Sequence, residues 1–333
     1  MLTAPKMRFG TEFGTIMKIG FIGLGNVGGK LAGSLIRNGH DVTVRDLNDA
    51  LVADYVGRGA KFAASPKELG EAVDLIVTCL PSPAATSAVA EGKDGFLQIM
   101  RAGQVWLEMS TTDHSEIIRL GALVKARGAM FMECPVSGGC HRADTGNIAI
   151  FAGGPRAAFE FVLPVLTTMG RRILHTGDLG TASQLKVMTN YLCTVHLVAL
   201  AEALTTCKAI GLDMNIAYEA IRISSGNSFV HETESQVILN GSRDINFTMD
   251  LVNKDIALFD KIAHAANVPV ELSPLIVKIF KEGEAAYGSR EFSPNIIRRY
   301  EEPLGIKVLG DGFPTDMIDD EPEEPGYEVV PKR

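Results

Sequence analysis

Residue types able to do chemistry are gathered in a few short segments. The first, Gly23-Leu24-Gly25-Asn26-Val27-Gly28, follows an apolar run and opens a helical one, the context in which a G-x-G-x-x-G loop holds a pyrophosphate. Gly23 permits the tight turn, Gly25 keeps a Cβ out of the anion's path, and Gly28 lets the helix pack close on the strand; free N–H groups at the helix start favour negative charge. Asp46 ends the next apolar run eighteen residues beyond Gly28, near the spacing at which a carboxylate accepts hydrogen bonds from an adenosine ribose. That favours NAD, since a 2′-phosphate would meet the carboxylate's charge, while neighbouring Arg45 leaves NADP possible. The plainer alternatives are that Asp46 only begins a turn and the glycines only pack, and a glycine loop plus an acid also fits an S-adenosylmethionine-dependent methyltransferase.

Three later segments have a chemical reading. Pro135-Val136-Ser137-Gly138-Gly139 offers a hydroxyl and two glycine N–H groups, a nest able to hold a carboxylate, or simply a tight turn. In Lys186-Val187-Met188-Thr189-Asn190 the i, i+4 spacing puts Lys186 and Asn190 on one helix face. Their surroundings (Leu185, Val187, Met188, Leu192, Val195) are apolar, which is odd for a lysine that only solvates a surface, although that reading stays open. Phe247-Thr248-Met249-Asp250-Leu251-Val252-Asn253-Lys254-Asp255 reads by itself as a helix start with a solvated charge pair.

The elements that must position these segments change character midway. Strands are expected at 18–23, 41–46, 75–80, 105–109, 129–133 and 148–152, alternating with helical stretches, which predicts a parallel doubly wound α/β sheet of Rossmann type. Several strands are apolar nearly throughout, as when helices cover both faces. After Thr176-Gly177-Asp178-Leu179-Gly180 only helical patterns follow, beginning with 182–210, nearly thirty residues without Pro or Gly and about 40 Å long. The predicted organisation is an N-terminal extension (1–16), a nucleotide-binding domain (17–180), an all-α domain led by a long interdomain helix (181–300), and an acidic tail (301–333) lying over the surface or disordered.

Composition excludes several classes. The formal charge of −8 resides mainly in the tail, whose ten acids and three bases leave the body nearly neutral, with no footprint for nucleic acid or an anionic membrane. Five scattered cysteines without a C-x-x-C pair argue against a disulfide framework and a zinc site, and fit a reducing cytoplasm. The seven histidines show no metal spacing, so no metal is expected. No uninterrupted apolar run reaches the roughly 20 residues of a membrane span, and residues 1–16 lack the apolar core of a secretory signal.

In this order, these segments closely resemble the β-hydroxyacid dehydrogenase family, which includes 3-hydroxyisobutyrate dehydrogenases and tartronate, glyoxylate and succinic semialdehyde reductases. The resemblance runs from about Met17 to Tyr300: Gly20 to Gly25 looks like the first strand and loop, Leu80-Pro81-Ser82 like the loop after the fourth strand, and Ser110-Thr111 like the following cofactor contact. Pro135 to Gly139 is similar to the substrate signature, Gly177 to Asn190 to the catalytic signature, and Lys254-Asp255 to the family's Lys-Asp pair. The resemblance implies that Lys186 is the acid and base, a role that burial would suit by lowering its pKa. It further implies that Asn190 orients substrate and lysine, that Ser137, Gly138 and Gly139 hold its carboxylate, and that Phe247 and Asp255 line the cleft. The loop residues 23–28 with Leu80 and Pro81 would hold the cofactor, and Thr111 and Lys254 would meet its nicotinamide half. The partner so implied is a small hydroxy acid or aldehyde, and a homodimer or homotetramer is expected.

The sequence departs from the family pattern at several points. Thr189 and Asn26 stand where the family usually has Asn and often has Met, and Cys140-His141-Arg142 replaces small residues after the nest. Arg142 either faces solvent or serves a second acidic group on the substrate, and Cys134 and Cys140 read as small buried hydrophobes. The rivals are an imine reductase of related fold, which typically carries Asp or Tyr in place of Lys186, and a cofactor-binding sensor or scaffold without turnover.

Overall fold

The computed structural model describes residues 17–332; the extension expected at 1–16 lies outside them. The chain opens with β1 (Lys18–Ile22), α1 (Gly28–Arg37), β2 (Asp41–Arg45), α2 (Asp49–Gly57), β3 (Lys61–Phe62), α3 (Pro66–Ala72) and β4 (Leu75–Thr78). It continues through α4 (Pro83–Glu91), β5 (Val105–Glu108), α5 (His114–Ala126), β6 (Met130–Glu133), β7 (Val136–Ser137), α6 (Gly139–Asp144), β8 (Ala149–Gly153), α7 (Arg156–Met169) and β9 (Arg172–Gly177). The helical half is α8 (Thr181–Ala209), α9 (Met214–Arg222), α10 (Phe229–Leu239), α11 (Met249–Ala265), α12 (Leu272–Tyr287) and α13 (Arg298–Leu304); a last strand, β10 (Tyr327–Glu328), closes the tail.

The sheet runs β10-β9-β8-β6-β5-β4-β1-β2-β3. Strands β1 to β6 are mutually parallel, and β4 and β5 are buried along their whole length because helices cover both faces. Trp106 of β5 fills one face between Phe96 and Phe131, its indole N–H donating to Thr78 Oγ1 at 2.7 Å. A second apolar cluster, built on α8, α10, α11 and α12, forms the core of the helical half.

Two features differ from the expected pattern. The sheet is not parallel throughout: β8 runs against β6 because the chain turns back through the short helix α6, so that β8 pairs antiparallel with both β7 and β6. Helix α8 is also, by length and composition, apolar enough to cross a membrane, the one such helix among the described residues. It packs on β8, β9 and α5 at one end and on α9 to α13 along the rest, so its length bridges two cores.

The acidic tail leaves α13 and returns across the nucleotide half. Its β10 extends the sheet, with Tyr327 N–H donating to Arg171 O (2.9 Å) and Val329 N–H to Ile173 O (2.7 Å). Arg156 and Arg171 hold it through Glu328 and Glu324. Gly326 crosses the Gly170 carbonyl so closely that a Cβ there would lie 1.9 Å from the oxygen. Gly326→Ala is expected to cost about 1–3 kcal/mol as overpacking, read as a melting temperature lower by a few degrees. Faster amide exchange at Val329 should accompany it; unchanged exchange and melting would show that the strand is not seated this way.

Candidate active site

The carboxyl edge of the sheet collects the glycine loop after β1, Asp46 after β2, Leu80 after β4 and Thr111 after β5, the edge at which doubly wound sheets bind ligands. Gly23 takes φ +99°, and a Cβ there would be 2.3 Å from Cys79 O; at Gly28 it would be 2.1 Å from Gly23 O. Gly25 is different, because no protein atom lies within 4 Å of where its Cβ would be. Its own fold does not require glycine there, whereas a closely approaching ligand does. Helix α1 has no side-chain cap and no acid in its first turn, and half-buried Asp46 accepts from the Leu24 (2.7 Å) and Asn48 (2.8 Å) amides. The carboxylate keeps further lone pairs for ribose hydroxyls, and the loop fits a dinucleotide. Leu80 N–H donates to Ser110 Oγ (2.7 Å), fixing that loop beside the glycines; Asn26 and Pro81 are exposed and Val27 half-buried at its rim.

The helical half is joined to the sheet at a buried carboxylate. Glu133, at the end of β6, accepts at one oxygen from the Gly180 (2.6 Å) and Ala182 (3.0 Å) amides, and at the other from the Ser183 amide (3.0 Å) and hydroxyl (2.5 Å). It therefore caps α8, whose preceding N-cap residue, Gly180, offers no side chain. Burial pushes the Glu133 carboxyl above the usual range, and the Ser183 donors and neighbouring amides pull it back.

In the second turn of that helix the buried Lys186 ammonium donates to Asn190 Oδ1 (2.7 Å), and Asn190 Nδ2 donates to buried Asp255 Oδ2 (2.5 Å). Lys254 Nζ stands 2.8 Å from Asp255 Oδ1, within ion-pair distance but off the alignment of a hydrogen bond, and donates to Thr111 O (2.9 Å). One polar chain thus runs from Lys186 in the helical half to the backbone beside β5. Burial draws Lys186 below the ordinary lysine value; Asp255 and Cys193 push it back, and Lys254 lowers it further.

Of the remaining expected site residues, Ser137 lies on β7, and Gly138 and Gly139 (φ +133° and +86°) open α6 beside β8, on which α8 packs. Among the described residues no hydrogen bond joins this nest to the Lys186 chain. Phe247 packs on the helical core and its carbonyl accepts from Ser293 N–H (2.8 Å), apart from the polar chain. Cys134 and Cys140 are free thiols that burial pushes up, Cys140 to about 11.

Arg142 does not simply face solvent. Its guanidinium stacks over Phe229 (4.8 Å) and stands 4.0 Å from the tail carboxylates of Asp319 and Glu321. This contact with the tail was not legible in the sequence, nor were the roles of Glu133 and Glu234. The available signal at Glu133 was an acid closing the apolar strand Met-Phe-Met-Glu, a position that demands donors.

Both halves of the chain match known proteins. Residues 18–177 match the family described as the NAD binding domain of 6-phosphogluconate dehydrogenase, and residues 180–300 match the NAD-binding domain of NADP-dependent 3-hydroxyisobutyrate dehydrogenase. The 2-(hydroxymethyl)glutarate dehydrogenase of Eubacterium barkeri is 34% identical over 295 residues, 88% of this chain and 98% of that one. Mitochondrial 3-hydroxyisobutyrate dehydrogenase of Mus musculus is 30% identical, over 86% of this chain and 88% of its own. Among solved structures, 3-hydroxyisobutyrate dehydrogenase of Salmonella typhimurium superposes with a TM-score of 0.79 at 27% identity, covering 85% of this chain and 99% of that one.

Because Asp255 is the carboxylate that raises Lys186, Asp255→Asn is expected to move the lysine's titration midpoint to lower pH, measured on 13C-labelled lysine by NMR. A midpoint that stays or rises would disprove the coupling.

Proposed function

Given that the chain belongs to the β-hydroxyacid dehydrogenase family, we propose that it interconverts a small 3-hydroxy acid and its semialdehyde, with NAD preferred and Lys186 as general acid and base. The observation that carries this reading is the buried Lys186 ammonium, held by Asn190 and Asp255 in a chain that reaches the cofactor edge of the sheet.

Bound nicotinamide supplies the acceptor or donor of hydride. In the reductive direction the Lys186 ammonium donates to the carbonyl oxygen and then gives it a proton; in oxidation the neutral amine takes the hydroxyl proton. Asn190, fixed through Asp255, keeps Nζ aimed and orients the substrate. Ser137 and the Gly138 and Gly139 amides hold the substrate carboxylate, while Asp255 lines the cleft. Residues 23–28 with Asp46, Leu80 and Pro81 hold the dinucleotide, and Thr111 and Lys254 meet its nicotinamide end.

Lys186→Ala is expected to lower turnover about 10²–10⁴-fold while NAD binding by calorimetry survives, across a panel of 3-hydroxyisobutyrate, glycerate, 3-hydroxypropionate, serine and 4-hydroxybutyrate. With the lysine's pKa below the ordinary value, oxidation in the parent should rise with pH through it and reduction should fall through the same pH. NAD binding without turnover anywhere on the panel would replace this reading with that of a cofactor sensor.

Asp46 carries the cofactor preference. NADP should show a KM at least about tenfold above NAD, the scale of one lost charge-assisted contact, and Asp46→Ala should narrow that ratio. Equal use of both cofactors by the parent would contradict this role.

A further inference from the structure

The tail carries a consequence for substrate choice. Arg142 sits in the last turn of the short helix α6, three residues after the nest, with its stem against Gly138: a Cβ on that glycine would lie 3.4 Å from Arg142 Cδ. An arginine one side chain from a carboxylate nest is placed to take a second carboxylate. Here two carboxylates of the chain itself already stand within ion-pair reach of it. Asp319, its side chain almost fully covered, accepts from Thr145 Oγ1 and from Asn147 Nδ2 (2.8 Å) and stands 4.0 Å from Arg142 Nε. Glu321 accepts from Arg172 (2.6 Å) and stands 4.0 Å from Arg142 Nη2. The cleft between α6, α10 and the tail is lined by Glu232, Asp319, Asp320 and Glu321 against Arg142. His141 adds little charge, because burial lowers its pKa. A second substrate carboxylate reaching Arg142 would meet two carboxylates already beside it.

We infer that the acidic C-terminal tail is a specificity element: Asp319 and Glu321 occupy Arg142 beside the nest, so the site takes hydroxy acids with one carboxylate and rejects dicarboxylic ones. The inference rests on the hydroxy-acid reading above. It assigns a role to a segment beyond residue 300, where the family match ends.

The test compares the parent with Asp319→Asn/Glu321→Gln, the same double variant carrying Arg142→Gln, and Glu324→Gln, which removes a tail carboxylate paired elsewhere with Arg171. Two readouts are taken on the full chain with NAD: kcat/KM for 3-hydroxyisobutyrate and 2-(hydroxymethyl)glutarate, and calorimetric affinity for the unreactive isobutyrate and 2-methylglutarate. The parent should favour the monoacid in both. The double variant should raise the diacid-to-monoacid ratio at least about tenfold, the scale of one charge-assisted hydrogen bond. Arg142→Gln should abolish that gain, and Glu324→Gln should leave the ratio within about twofold of the parent. Should the double variant be unstable, Glu321→Gln alone, which spares the Thr145 and Asn147 contacts, should raise the ratio in the same direction. A parent that prefers the diacid, or a ratio that no tail variant moves, overturns the inference. If the binding ratio shifts while no hydroxy acid is turned over, the reaction reading falls and the tail's role stands.

Discussion

Glu133 joins the two halves of the molecule at a point where neither could be completed alone. Strand β6 ends in a carboxylate that its buried position makes costly, and helix α8 begins at a glycine with no side chain to receive its first amides. Each supplies what the other lacks, through four hydrogen bonds shared between two oxygens. Gly153 completes the fit, since a Cβ there would lie 2.3 Å from Glu133 Oε1. The position of Lys186, one turn farther along α8, is therefore referenced to the sheet as well as to the helical core.

A second tie fixes the other side of the cleft. Lys254, from α11, reaches the Thr111 carbonyl after β5, while its neighbour Asp255 holds Asn190 of α8. Two helices of one half are thus referenced to the sheet at two places, the start of α8 and the end of β5. Geometry of this kind matters because a misplacement of about 1 Å can lower a rate about 10²-fold. The polar chain also leaves each end of the Asn190 amide one partner that suits it, so the side chain has one orientation that satisfies both Lys186 and Asp255.

The parts of this arrangement legible in the sequence are those with a short-range signature. The glycine loop, the apolar strands and the unbroken run that becomes α8 announce themselves by spacing and period. Strands β3, β7 and β10 are two residues each, too short for a period, and Arg-Ile-Leu-His-Thr-Gly of β9 has one buried residue among half-buried ones. Lys186 and Asn190 were visible as an i, i+4 pair, but their link to Asp255, sixty-five residues away, depends on how α11 packs on α8. The tail was read as surface or disorder from its acids and prolines. It docks because Arg37, Arg156, Arg171 and Arg172 lie along its path, a distribution only the fold creates.

The charge balance at Lys186 follows from which carboxyls stay ionised. Burial disfavours the ammonium, and each unit of pKa it loses is worth about 1.4 kcal/mol. Two carboxyls lie on this side of α8, Asp255 and Glu234, and they act differently. Asp255 is bonded by Asn190 and stands at ion-pair distance from Lys254, and its charge partly restores the ammonium. Glu234, buried beside Cys193 (3.7 Å) with Oε2 lacking a partner among the described residues, is pushed up to about 8 by desolvation. At neutral pH it is mostly protonated and contributes little charge. The lysine therefore faces one carboxylate already shared with a second cation, enough to keep it in place but not enough to cancel the cost of its burial. An amine so balanced lies nearer to neutral pH than an exposed lysine, the condition under which one group can serve as acid in one direction and base in the other.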